Sequence, residues 1–204
     1  MRTLVLCALI ASTVCFVPSV SAQVGVAAGL NFENLGDIQA TSRRATFDNS
    51  TGYHIGIYFD LGGGKVSLRP GLFYRDAGDV VLSEGLQESV FDLSTIEVPL
   101  DVRVKLVPSS VVSPYVLGGP VVAFASSSDD GFNDAVRNLL LSANAGIGID
   151  LAMGSIVLSP ELRFAFSVNR WLEENRTIRV GGATISSDEV SRQSAVMLRL
   201  GLSF

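Results

Sequence analysis

Gln193 to Phe204 reads QSAVMLRLGLSF. Val196, Leu198, Leu200, Leu202 and Phe204 are apolar and occupy every even position. Ala195, Met197, Arg199, Gly201 and Ser203 stand between them, small or polar except for Met197. Successive side chains of a strand point to opposite faces, so this period of two predicts a strand with one apolar face and one polar face. The segment stops on an aromatic residue in phase with the apolar face.

Seven further segments repeat the pattern. Val24, Val26, Ala28, Leu30 and Phe32 alternate with Gly25, Ala27, Gly29 and Asn31; Tyr53, Ile55, Ile57, Phe59 and Leu61 alternate with His54, Gly56, Tyr58 and Asp60. Val66 to Tyr74 does the same, with Arg69 and Phe73 on the second face, and Ile96 to Leu106 places Glu97, Asp101, Arg103 and Lys105 there. In Tyr115 to Ala125 the glycines and proline at 118–120 blur the two faces. Ala143 to Leu151 and Ile156 to Phe166 complete the set, the latter with Glu161 and Arg163 on its polar side. Eight strands of about ten residues, each roughly 33 Å long and tilted by about 40°, span about the 25 Å of an outer-membrane apolar band. An even count closes into an up-and-down antiparallel barrel with both termini on one side. The predicted fold is therefore all-β, an eight-stranded transmembrane barrel.

Connection lengths make a second signal. Long stretches run from Glu33 to Thr51, Asp76 to Leu93, Ser126 to Asn138 and Asn169 to Arg192. Short ones cover 62–64, 107–113 and 152–154. Outer-membrane barrels alternate in this way, with long loops outside and short turns in the periplasm. The apolar phase is odd before Met153-Gly154 and even after it, which a two-residue turn there explains by pairing Leu151 with Ile156. The same register sets Gly146 opposite Glu161 and Asn144 opposite Arg163, with Arg199 as the expected partner of Glu161. Phe32, Tyr53, Tyr74 and Phe166 cluster toward the long connections, with Trp171 beyond; Phe59, Tyr115 and Phe204 lie toward the short ones, as in two interfacial belts. Arg176 to Ile185 reads as a small hairpin turning at 181–182.

The chain has 204 residues, a formal charge of −5 and 17% charged side chains. Met1 to Ala22 carries Arg2, an apolar run and then Val20-Ser21-Ala22, the build of a secretory signal peptide cleaved after Ala22. That leaves 23–204 as one domain. Both cysteines, Cys7 and Cys15, fall in the signal, so the mature chain offers no disulfide or thiolate chemistry. The acidic balance gives no footprint for nucleic acid.

Period two alone fits a soluble barrel or sandwich as well. Three features favour lipid around the apolar set. The polar face is rich in Gly, Ala and Ser, which suits a narrow lumen. Lysine occurs only at Lys65 and Lys105, although soluble edge strands use it freely. Phe204 ends the chain in apolar phase, as the terminal strand of bacterial outer-membrane barrels does, where such a residue belongs to the signal read by the assembly machinery.

VGVAAGLNF, TGYHIGIYFDL, VSLRPGLFYRDAG, TIEVPLDVRVKL, SPYVLGGP and LRLGLSF, in that order, resemble the strands of the outer-membrane β-barrel domain of PorT-like proteins. The resemblance covers nearly all of the mature chain. It implies an eight-stranded barrel in a Gram-negative envelope, with outer-membrane lipids and the barrel assembly machinery as partners. It brings no catalytic or ligand-binding residues with it.

The residues themselves supply no catalytic, cofactor-binding or metal set. His54 is the sole histidine and reads as a hydrogen-bonded lumen residue, since nucleophilic catalysis wants a base-coupled Ser or Asp partner and a metal wants further ligands. Asp129, Asp130 and Asp134 in SSSDDGFND offer oxygen ligands for Ca²⁺ but lack EF-hand spacing, and a solvated acidic loop is the other reading. The 62–65 stretch GGGK lacks both the first Gly and the Ser/Thr of a phosphate loop, leaving a turn. Arg43-Arg44 and Arg176/Arg179 are candidates for lipopolysaccharide phosphates and equally for solvated loop charge. The polar face gathers Asp60, Glu97, Asp101, Asp150 and Glu161 with Arg69, Arg75, Arg103, Lys105, Arg163 and Arg199. In a narrow low-dielectric tube such charges must pair, and near-balance of sign points to a plug more than to an ion-selective pore. The expectation is a small non-enzymatic outer-membrane barrel that presents long loops; a narrow solute channel and a lipid-modifying barrel enzyme are the alternatives.

Overall fold

In a computed structural model of the chain the described residues are 22–35, 38–39, 44–47, 50–62, 64–84, 87–107, 109, 111–126, 139–168, 177–180, 183–186 and 193–204; side chains are described within 22–34, 50–62, 64–78, 93–107, 109, 111–126, 139–168 and 194–204. The expected signal peptide, the acidic cluster at 129–134, Arg43, Trp171 and Arg176 lie outside them, as do the side chains of Arg44 and Arg179.

The strands are β1 (Ala22–Leu35), β2 (Ile38–Gln39), β3 (Arg44–Phe47), β4 (Ser50–Leu61), β5 (Val66–Glu84), β6 (Gln87–Lys105), β7 (Val112–Ser126), β8 (Leu139–Met153), β9 (Ile156–Ser167), β10 (Thr177–Val180), β11 (Ala183–Ser186) and β12 (Gln193–Ser203). Eight of them, in the order β1-β4-β5-β6-β7-β8-β9-β12, pair antiparallel with their neighbours, and β12 returns to β1. The barrel is closed, so none of these strands leaves an unpaired edge along its barrel span. The last closing bond runs from the Phe204 backbone N to the Val24 carbonyl, 3.0 Å.

Burial is inverted relative to a soluble protein. On β12, Val196, Leu198, Leu200 and Phe204 are 42%, 50%, 52% and 61% exposed, while Ala195, Met197, Arg199 and Ser203 are 2%, 3%, 7% and 2% exposed. The same alternation runs through the other barrel strands: Ile55, Ile147, Leu162 and Phe164 point out, and Asp60, Arg69, Asp101 and Arg163 point in. A continuous apolar exterior around a charged interior is stable only with hydrocarbon as the outer solvent, which retires the soluble alternative.

Four details differ from the sequence reading. The turn between β8 and β9 is Gly154-Ser155, with Gly154 at φ +68°, and Met153 pairs with Ile156. Gly148 therefore faces Glu161 and Gly146 faces Arg163, two residues from the expected register. A slip of two preserves which face each side chain takes, so hydrophobic phase could not detect it.

The stretch from Asp76 to Leu93 is not a loop. β5 and β6 go on pairing from Asp79↔Asp92 to Glu84↔Gln87, beyond a register shift between Asp76 and Asp79. Ala77 and Gly78 together oppose Leu93, a β-bulge with Gly78 at φ +74°. Asp76 Oδ1 accepts from Gly78 N at 2.7 Å, and Ser50 Oγ donates to the Ala77 carbonyl at 2.6 Å, which pins the bulge. β3 adds to the outer part of β5 through Thr46↔Ser83 and Phe47↔Leu82, so the Glu33–Thr51 connection also contains strand.

Tyr115 is 1% exposed and faces the lumen, outside any aromatic belt. Phe32, Tyr53, Phe166, Phe59 and Phe204 do face outward near the strand ends, as expected, while Tyr74 faces outward from the middle of β5. The β10–β11 pairing from Thr177↔Ser186 to Val180↔Ala183 matches the expected hairpin.

Candidate functional site: the charged lumen

The lumen is built by register. Its bulky side chains lie across glycines on the neighbouring strand: Tyr58 pairs with Gly25, His54 with Gly29, Phe73 with Gly56, and Tyr115 with Gly148. A Cβ at Gly25 would stand 2.3 Å from the Tyr58 ring, and one at Gly148 would stand 2.5 Å from the Tyr115 ring. The glycines are the space the rings occupy, which is how a narrow tube holds aromatic residues at native density.

Toward the short-turn end lies a dense ion-pair belt. Arg69 clasps Asp60 with two parallel bonds, Nε to Oδ1 and Nη2 to Oδ2, both 2.8 Å, and its Nη1 reaches Glu161 Oε1. Arg103 bridges Asp60 Oδ2 at 3.3 Å and Asp150 Oδ2, and Ser159 Oγ donates to Asp150 Oδ1 at 2.8 Å. The Tyr115 hydroxyl donates to Glu161 Oε1 at 2.7 Å. The Arg69 guanidinium lies 4.4 Å from the Tyr58 ring centroid, and that of Arg103 lies 3.9 Å from Tyr115. Two-pronged Arg–carboxylate pairs stacked on aromatic faces are among the strongest ways to hold a buried charge. Lys105 sits at the rim, half-buried, with Nζ 3.6 Å from Asp150.

Arg163 links this belt to the middle of the barrel, with Nε to Glu161 Oε2 at 2.8 Å and Nη2 to Asp101 Oδ2 at 2.7 Å. Asn144 Nδ2 donates to the other Asp101 oxygen at 2.9 Å. Toward the long-connection end, Arg75 spans Glu97 at 2.9 Å and Glu33 at 3.2 Å, while Asn31 Nδ2 donates to Glu33 Oε1 at 2.8 Å and to the Asp76 carbonyl at 2.9 Å. Glu33, in the expected first long connection, instead continues the odd, inward phase of β1 after Asn31, and that phase is the signal in the sequence for its place.

Arg199 does not pair with Glu161. Its Nε donates to His54 Nε2 at 3.2 Å, and its guanidinium lies 4.0 Å from the Phe73 ring centroid. Arginine Nε is only a donor, so His54 Nε2 is the acceptor and the ring proton belongs on Nδ1, which faces Asn31 Oδ1 at 3.5 Å. His54 is fully buried, in contact with Asn31, Phe73 and Arg199. Among the described residues no cluster of three or more His, Cys, Asp or Glu is placed to hold a metal. Among the described residues, two recesses toward the long-connection half have volumes of about 20 Å³ and about 10 Å³.

Closed antiparallel strands, an apolar outer face and a charge-filled interior define the class of eight-stranded membrane-spanning barrels. Among solved structures the chain is similar to Neisserial surface protein A (14% identity, 90% of this chain and 97% of that one, TM-score 0.51) and to the outer membrane protein OprG from Pseudomonas aeruginosa (12% identity, 91% and 97%, TM-score 0.52). At these identities the likeness is one of fold, and these neighbours are bacterial outer-membrane barrels. No family model and no curated protein sequence matches the chain.

Proposed function

We propose that the chain is a non-enzymatic bacterial outer-membrane protein whose barrel is a closed anchor and whose recognition is carried by the segments on the long-connection side. The observation that carries this reading is the lumen belt, in which Asp60, Arg69, Arg103, Asp150 and Glu161 join five strands through their charges. An eight-stranded barrel leaves an interior only wide enough for side chains to fill, and charges paired with one another across that interior offer no site where a hydrated ion keeps its shell. The long connections then face outside and the short turns face the periplasm. Export with cleavage after Ala22, assembly through the β12 end, and membership among PorT-like barrels belong to the same proposal; the ordered segments named above support the last.

Reconstitution in planar bilayers tests closure. The expected trace is flat at all voltages. A reproducible open conductance whose ion selectivity changes in Arg69 or Arg163 variants replaces the anchor with a narrow channel. A His54-dependent change in lipid A acyl chains replaces it with an enzyme.

A further inference from the structure

Beyond the bulge at 77–78 the two long strands part from their barrel neighbours. The described β4–β5 ladder ends at Tyr53↔Asp76, and the β6–β7 ladder ends at Ser94↔Ser126. β5 and β6 go on pairing with each other from Asp79↔Asp92 to Glu84↔Gln87, about 20 Å of ladder. β3 takes the far edge of β5 through Thr46↔Ser83 and Phe47↔Leu82, and β2 joins β3. One side of the hairpin thus already carries an added strand. On the other side, the edge of β6 at 87–93 has no ladder partner among the described residues. Alternate residues of such an edge turn their backbone N–H and C=O groups away from β5, and a further strand adds to that row.

Charge decides which strand fits. The stretch 76–93 carries Asp76, Asp79, Glu84, Glu88 and Asp92 and no Lys, Arg or His. A run of acids without bases stays out of hydrocarbon, so the hairpin stands in the aqueous phase. Register sets Asp79 directly across from Asp92, and like charges at paired positions destabilise a ladder until a cation offsets them. The two nearest occupants have the wrong sign. The connection 127–138 holds Asp129, Asp130 and Asp134 against Arg137 alone. Two copies joined antiparallel over the whole of 87–93 centre on Val90, which sets Glu88 across from Asp92 twice.

We propose that the free edge of β6 at 87–93 is a docking site for an extended basic segment of another protein, which adds to the β2-β3-β5-β6 sheet as its next strand. Backbone hydrogen bonds hold the segment, and Lys or Arg residues four apart on one of its faces stand across from Glu88 and Asp92. The inference rests on the reading that recognition lies on the long-connection side, and it names the partner class for that side.

The folded barrel in phosphatidylcholine nanodiscs, with both ends reachable, is titrated with a fluorescent peptide that alternates Thr and Val and carries two lysines four residues apart. Saturable binding is expected, with slowed amide exchange at alternate residues of 87–93. The same peptide with glutamates for lysines should not bind, and a copy N-methylated along its backbone should lose binding while keeping its charge. Glu88→Gln combined with Asp92→Asn should weaken binding severalfold, the scale of two cross-strand charge pairs, with heat-modifiable migration showing the barrel folded. No saturable binding, equal binding of the N-methylated peptide, or no effect of the two substitutions overturns the site. Protection of every amide of 87–93 before the peptide is added overturns it in favour of 127–138 or a second copy, which particle mass tells apart. Binding in nanodiscs that is absent on intact cells leaves the edge site standing and removes the outward placement of the long connections.

Discussion

Glu161 on β9 and Arg199 on β12 stand directly opposite each other in the strand ladder, and their charges do not meet. Both carboxylate oxygens of Glu161 are already occupied, Oε1 by Arg69 and the Tyr115 hydroxyl and Oε2 by Arg163. Arg199 turns instead onto the face of Phe73 and to His54. Proximity in a ladder therefore does not by itself decide pairing in a crowded lumen, where Arg69 and Arg163 reach Glu161 from other positions.

Glu161→Ala is expected to destabilise the barrel by about 3–5 kcal/mol, because it leaves buried guanidinium groups short of an acceptor. Its coupling to Arg69→Met in a double-mutant cycle should exceed its coupling to Arg199→Met by about 1 kcal/mol or more. Urea unfolding in lipid vesicles, followed by heat-modifiable gel migration, measures both. Stronger coupling to Arg199 contradicts the geometry described.

The glycine–aromatic pairs predict a clash that can be relieved. Gly25→Ala places a Cβ 2.3 Å from the Tyr58 ring and should cost about 1–3 kcal/mol as overpacking. Combining it with Tyr58→Leu, which vacates that space, should recover part of the loss. A double variant no more stable than simple addition of the single effects removes the steric account of the pair.

The inside-out burial sets up a contrast between neighbours on β12. Leu200→Arg, at a position 52% exposed on the outer face, is expected to cost about 2–4 kcal/mol near the membrane midplane. Tryptophan introduced at Leu200 should be quenched by brominated lipid chains, and tryptophan at Met197, 3% exposed and inward, should be shielded. Equal quenching at the two sites argues against hydrocarbon as the outer solvent.

How far the sequence foretold this depends on which faces were forced to differ. Where lipid lies on one side and charge on the other, as on β12 and β9, alternation is strict and the strands could be read directly. On β7 the inward set includes Tyr115, Leu117, Val121 and Ala123, so both faces are apolar and phase carries no information about which side Tyr115 takes. Beyond Asp76 the β5–β6 pairing continues past a bulge at Ala77 and Gly78 that breaks the period of two, so the stretch reads as a loop from sequence. The lumen charges were legible as a set because each follows its strand's inward phase. Their partners were not: Arg69 reaches from β5 to Glu161 on β9 across the barrel, and no ladder position encodes such a contact.

Phe204 combines two roles that can be separated. Its backbone N closes the β1–β12 seam on the Val24 carbonyl at 3.0 Å, while its ring is 61% exposed on the outer face. Removing the residue deletes both, so loss of folding after truncation would not identify an assembly signal. Phe204→Ala keeps the seam bond and removes only the ring, which touches lipid and contributes little to interior packing. Refolding of Phe204→Ala from urea into vesicles should therefore match wild type within about 1 kcal/mol, the scale of a surface change away from packed features. Its yield in the outer membrane of cells should still fall severalfold if the ring is read by the assembly machinery. Equal loss in vesicles and in cells assigns Phe204 to stability alone, and no loss in either leaves the terminal aromatic without a role in assembly.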